Sequence, residues 1–234
     1  MASPVCLITG VGVGTGAAVA RRFAKGGYRV AMLARDRERL EGLEAEIEGA
    51  KGYPCDVADR DALTATIGAV RAELGAPSVV VHNAVAGSFE PYLEADPAVL
   101  EHCFRVNTTA LLYLAQELVP DMVAAGRGAI MVTGNTAATR GVASFALYAP
   151  TKAAQRILAQ AMARDLGPKG VHVAYFIIDA GIDNARTRPM IYPDKPDDFF
   201  AKPEAIAEEI FHTAHQDRST WSFDVELRPF GETW

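Results

Sequence analysis

An apolar run from Val5 to Ile8 stops at Thr9 and opens into glycines at every second position, Gly10, Gly12, Gly14 and Gly16. No other stretch constrains the chain as much. The segment that follows, AAVARRFAKGG, repeats its apolar and alanine positions at helical spacing. The expected order is strand, glycine turn, helix. A helix start carries unbonded N–H groups and the positive end of a dipole, both suited to a phosphate. Side chains at Gly14 or Gly16 would fill the space that a pyrophosphate, or close packing of helix on strand, requires. The alternating glycines fit several registers, so a merely tight turn would use them as well.

The rest of the chain continues the alternation. Tyr28 to Ala34 reads as a second buried strand, and Asp36 caps a charged helix that ends near Gly49. Lys51 to Val57 holds a third strand, Asp59 caps a helix through Leu74, and Ser78 to Val81 supplies a fourth strand running into HNAVAG. Asp96-Pro97 opens a helix that continues past Asn107 to Pro120, where a kink or break is expected. Arg127 to Thr133 is the fifth strand, Gly134 to Gly141 a loop, and Pro150 lies in the first turn of a helix reaching Gly167-Pro168. Val171 to Ile178 is the sixth strand. Residues 179–202 read as a long irregular connection, a substrate-side lid that includes Arg186 and Arg188, and Pro203 opens the helix before a last strand from Ser222 to Arg228. The expected fold is α/β, one Rossmann-type domain over residues 1–234, with a doubly wound parallel sheet of about seven strands and helices on both faces.

Half of the 234 residues are hydrophobic, enough for one substantial core. The net charge of −6, with Lys and Arg scattered, argues against nucleic acid or an anionic membrane as partner. No apolar run reaches the roughly 18 residues that span a bilayer. The first strand begins almost at once, which leaves no room for a leader and implies a cytoplasmic protein. Cys6, Cys55 and Cys103 are far apart and without a CxxC pair, so they are expected as small core residues. His212 and His215 share a helix face, but no further ligand completes a metal set.

Two further positions bear on chemistry. Arg35 follows the second strand, where a dinucleotide fold chooses between a ribose hydroxyl and a 2′-phosphate. With no carboxylate at Ala34 or Arg35, and a guanidinium able to pair with phosphate, NADP(H) is expected over NAD(H). Tyr148 and Lys152 lie four residues apart near a helix start, which brings them to one side of a turn. A buried tyrosine and a surface lysine would produce the same pair. Their place after the fifth strand is also where ligands of parallel sheets collect.

Together these motifs resemble the short-chain dehydrogenase/reductase family over nearly the whole chain. Thr9, Gly10, Gly14 and Gly16 match its TGxxxGxG turn, Asp56-Val57 its adenine contact, and Asn83-Ala84 the middle of its NNAG motif. Asn107 matches its helix asparagine, and Tyr148 with Lys152 its YxxxK. The resemblance implies that Tyr148 acts as acid for carbonyl reduction or base for alcohol oxidation. It implies that Lys152 supports the phenolate and holds the nicotinamide ribose, and that Asn107 anchors a water joining Lys152 to solvent. It also implies a small carbonyl or alcohol substrate and a homodimer or homotetramer.

The chain departs from the family pattern in places. Asn135, followed by Thr136, stands thirteen residues before Tyr148, where the family places a serine that binds the substrate oxygen. His82 and Val85 replace the ends of NNAG, and Ala180 precedes Gly181 where the family has Pro-Gly. An amide still offers a hydrogen bond to a carbonyl. Two readings follow: an NADP(H)-dependent oxidoreductase in which Asn135 or Thr136 stands in for the serine, or a dinucleotide-binding protein with little turnover, serving as a sensor or inactive partner subunit.

Overall fold

Seven strands form one parallel sheet in the computed structural model, in the order β3-β2-β1-β4-β5-β6-β9. The structure describes residues 3–185 and 187–231; Arg186 lies outside the described residues. The strands are β1 Val5–Thr9, β2 Arg29–Ala34, β3 Ala50–Pro54, β4 Pro77–His82, β5 Gly128–Asn135, β6 Val171–Ile178 and, after two short strands, β9 Asp224–Leu227. Between them run helices α1 Thr15–Lys25, α2 Arg37–Glu46, α3 Arg60–Leu74, α4 Pro97–Phe104, α5 Ala110–Ala124 and α6 Ala149–Leu166. A helix α8, Pro203–Ala214, precedes β9.

The period-two alternation of each strand divides the core into two layers. Leu7, Leu33, Val80, Ile130, Val132 and Tyr175 pack on one face with α3, α5 and α6. Their neighbours Cys6, Ile8, Met32, Val81, Met131 and Phe176 pack on the other with α1 and α8. Both faces are covered, as a parallel sheet requires. The direction of winding reverses between β1 and β4, so the carboxyl ends of those strands diverge into a crevice.

Three expectations are corrected. The helix from Asp96 is interrupted at Asn107, not at Pro120: Arg105–Thr109 forms a π turn, and α5 runs through Pro120 to Ala124. The irregularity follows the packing of Asn107, described below. β5 extends two residues beyond Thr133, because Gly134 and Asn135 still pair with Ile177 and Ile178, which makes Asn135 a strand residue instead of a loop residue. The connection from 179 to 202 has structure of its own: β7 Gly181–Ile182 pairs in parallel with β8 Phe200–Ala201, and α7 Thr187–Ile191 lies between. All three cysteines are buried, as expected. Among the described residues, no helix is long and apolar enough to cross a membrane.

Candidate active site

The crevice is a groove of about 520 Å³ whose lining includes Gly10, Gly14, Gly16, Arg35, Asp56, Val57, Asn83 and Ala84. Two of the glycines are demanded by contact. Gly10 has φ +68°, and a Cβ there would stand 2.4 Å from Ala84 Cα; a Cβ on Gly16 would stand 2.7 Å from the Gly10 carbonyl oxygen. Backbone therefore meets backbone where β1 passes into α1, the close approach that a nucleotide cradle needs. Thr15, at the first position of α1, also lines the groove, and its buried hydroxyl has no protein partner. A buried hydroxyl without a partner at a helix N-terminus suits a phosphate oxygen. A nicotinamide dinucleotide therefore fits the residues present.

Thr9 and Gly181 are placed differently. Thr9 is fully buried, and its Oγ accepts from the backbone N–H groups of Asn83 and Ala84 at 3.2 and 3.3 Å. It ties the end of β1 to the end of β4 and does not face the groove. Gly181 packs against Tyr192 and Phe199, while Ile182 and Asn184 reach the groove. Sequence reading missed Thr15, Ile182 and Asn184. A hydroxyl at the helix start was visible for the first; nothing marked the others.

At the adenosine end, Arg35 is exposed, lines the groove, and has no partner among the described residues. The adjacent carboxylate of Asp36 is engaged twice by Arg39, accepting from its backbone N–H at 3.0 Å and pairing with its guanidinium at 2.9 Å. Asp56 accepts from Ala58 N–H at 2.9 Å, which fixes the turn after β3.

Asn107, Asn135, Tyr148 and Lys152 come together beyond the loop that follows β4. That loop lines the groove at Ala84 and Ala86, then crosses Tyr148 so closely that a Cβ on Gly87 would lie 3.0 Å from the phenol ring. Asn107 holds the loop in place: its Oδ1 accepts from Ala86 N–H at 2.9 Å and its Nδ2 donates to Ala86 O at 2.8 Å. The same amide donates to Thr151 Oγ at 2.8 Å, fastening the π turn to the start of α6.

Asn135, not Thr136, touches the tyrosine. Its Nδ2 donates to the Tyr148 hydroxyl at 2.8 Å while its Oδ1 accepts from Ala137 N–H at 3.1 Å. The backbone donor fixes the amide, since the reverse orientation would set two donors against each other at Ala137. Burial pushes the Tyr148 hydroxyl up to about 12, and the Asn135 hydrogen bond opposes that shift. Phe89 and Phe145 both stand edge-on to this ring, with centroids 5.6 and 5.9 Å from it. Lys152 is 2 % exposed, and burial lowers its ammonium to about 7. It donates to Thr133 O at 3.0 Å and to Gln155 Oε1 at 2.5 Å.

A parallel sheet with a glycine-lined groove at its switch point defines a Rossmann-type nucleotide-binding protein. Residues 4–185 match the family model described as short chain dehydrogenase. The chain belongs to the short-chain dehydrogenase/reductase family and is an oxidoreductase of NAD(P)-binding type. It is 36% identical to D-erythrulose reductase of Gallus gallus over 168 residues, which cover 71% of this chain and 67% of that one. It is 30% identical to L-xylulose reductase of Bos taurus, again over 168 residues with coverage of 71% and 67%. Among solved structures, a metagenomic short-chain oxidoreductase in complex with NADP superposes with a TM-score of 0.85, 29% identity and 99% coverage of both chains.

Proposed function

We propose that this chain reduces the carbonyl group of a small molecule, or oxidises the corresponding secondary alcohol, with NADP(H). One contact carries the reading: the Asn135 amide N–H on the Tyr148 hydroxyl, held in place by Ala137. A site that only bound a dinucleotide would have no use for a donor aimed at a buried phenol. The bound nicotinamide would supply or accept the hydride. Tyr148, protonated at neutral pH, gives its proton to the substrate oxygen, and Asn135 stabilises the phenolate that remains. Asn135 has a second N–H to offer the substrate oxygen, the task of the family's serine. With two donors of Lys152 taken, its ammonium form keeps a third for the nicotinamide ribose. Asn107 acts through the loop it fastens.

At the other end of the groove, Arg35 pairs with the 2′-phosphate of NADP(H), while Arg39 neutralises the adjacent carboxylate of Asp36. The solved relative that contains NADP supports this choice. The reductase names of the D-erythrulose and L-xylulose relatives support carbonyl reduction as the working direction. One domain carries the whole site, with residues 179–202 as the lid over its substrate side.

The test combines two measurements on the purified chain. Calorimetric titration compares NADPH with NADH, and consumption of NADPH is followed with aryl ketones, aldehydes and ketoses such as erythrulose. Turnover on at least one carbonyl compound is expected. Tight dinucleotide binding with no turnover on any would return the chain to the reading as a sensor or inactive partner.

A further inference from the structure

Gln155 lies one turn after Lys152 on α6, fully buried. Its two amide ends are both engaged: Oε1 accepts from Lys152 Nζ at 2.5 Å, and Nε2 donates to the main-chain oxygen of Asn107 at 2.6 Å. That oxygen has a second protein partner, His82 Nε2 at 3.2 Å. The histidine tautomer follows from its other contact. Thr9 Oγ already accepts two backbone N–H groups, so its own proton goes to His82 Nδ1 at 3.0 Å, leaving the ring proton on Nε2 to be donated to Asn107. Both lone pairs of the Asn107 carbonyl are therefore filled by side chains, one from α6 and one from β4. Tyr175 closes the far side, with its hydroxyl 3.2 Å from Gln155 Oε1 and lodged beneath Gly134, where a Cβ would collide with it at 2.1 Å.

We propose that Gln155 is a positioning residue that takes the place of a proton path: it fixes Lys152 and closes the route from Lys152 past the Asn107 carbonyl to solvent. A carboxamide holds its N–H protons and passes none along at neutral pH, whereas a water in the same place would. The proton balance of carbonyl reduction then has a defined order. One proton leaves the Tyr148 hydroxyl for the substrate oxygen, and one proton returns to the phenolate from solvent through the substrate side, after the alcohol departs. The family resemblance implied the opposite, a water at Asn107 that resupplies Tyr148 from behind. The groups around Lys152 are consistent with a sealed compartment. Gln155 comes from its own helix, Tyr175 from β6, neutral His82 from β4 and the Thr133 carbonyl from β5, and no carboxylate among the described residues bonds to it.

The inference rests on the proposed reductase activity, so its test has one arm that needs no turnover. In that arm the pKa of Lys152 is measured in the full chain without dinucleotide, by competitive acylation read by mass spectrometry, for the natural protein and for Gln155→Leu. Loss of the acceptor lowers the lysine pKa by about one unit. An unchanged value overturns the positioning role, whether or not the protein turns over. In the second arm, rapid mixing with NADPH and ketone follows loss of reduced nicotinamide beside proton uptake from a weakly buffered indicator. The natural chain takes up its proton later than it consumes NADPH. Gln155→Ala, which leaves room for water between Lys152 and Asn107, brings the two traces together. Simultaneous traces in the natural chain overturn the closed path. Thermal melts and cofactor titration of both variants confirm that the fold is intact.

Discussion

At Asn135 a residue that departs from its family carries the most informative contact in the site. Sequence alone left two orientations open for its amide, and one of them would have turned a carbonyl toward developing negative charge. The Ala137 N–H removes that orientation. Asn135→Asp keeps the shape and the bond to Ala137 but replaces the donor with an acceptor, so kcat should fall by about 10²–10³ with dinucleotide affinity retained. Steady-state kinetics beside cofactor titration decide it, and a variant of near-native kcat would remove Asn135 from the chemistry. Tyr148→Phe should abolish turnover and leave NADPH binding nearly unchanged, because the hydroxyl serves the proton step; substantial residual activity would place the acid elsewhere. For Arg35→Asp the expected result is reversal of a preference for NADPH of about tenfold or more. Equal affinities in the natural chain would show that Arg35 is only a solvated charge. All three positions were legible in the sequence. The direction in which the Asn135 amide points was not, since a backbone donor two residues on leaves no mark in residue type.

At the scale of elements, local signals placed most boundaries to within a few residues. Asp36, Asp59 and Asp96 each cap the helix that the sequence assigned to them, accepting from Arg39, Ala62 and Ala98. Pro120 misled, because a long helix tolerates one missing N–H on its flank, whereas Asn107 interrupts the same helix for a tertiary reason, the anchoring of Ala86 and Thr151. The end of β5 was misjudged for a comparable cause. Gly134 and Asn135 look like loop residues, yet β6 continues beside them and Tyr175 needs the space that glycine leaves. Gly134→Ala should therefore destabilise the chain by about 1–3 kcal/mol or more through overpacking. Chemical denaturation measures the effect, and a loss below about 0.5 kcal/mol, the range of ordinary surface substitutions, would show that the tyrosine yields easily. Within residues 179–202, Arg188 pairs with Asp183 at 2.6 Å and with Asp197 at 2.8 Å. Its guanidinium thus ties the stretch before α7 to the stretch after it.

Over the whole molecule, the alternation of strand and helix was sufficient to give the parallel sheet, because the inner strands read as apolar on both sides and each connection is long enough for a crossover, while the edge strands β3 and β9 carry polar residues. It could not give the buried polar layer between β4, β5 and α6, whose members are scattered in sequence at His82, Asn107, Lys152 and Gln155. That layer makes stability depend on pH in a definite direction. Burial lowers His82 from 6.5 to about 4 and Lys152 from 10.5 to about 7. In each interval the unfolded chain binds the proton that the folded chain has released, so folding stability rises with pH, from about 4 to 6.5 for the histidine and upward from about 7 for the lysine. Buried Cys6 and Tyr148, both shifted upward, oppose the trend only in the alkaline range where their unfolded forms ionise. Between about pH 7 and 8.5 the lysine dominates, and stability should increase with a slope approaching about 1.4 kcal/mol per pH unit. Lys152→Met removes the titrating group, so its denaturation midpoint should stay nearly flat across that interval while the natural chain's rises. The absolute stability of the variant does not matter, since Thr133 and Gln155 lose a donor whatever the pH. Parallel pH profiles for the two proteins would show that Lys152 keeps its ordinary ammonium in the fold, and with it the proton that this site is arranged to control.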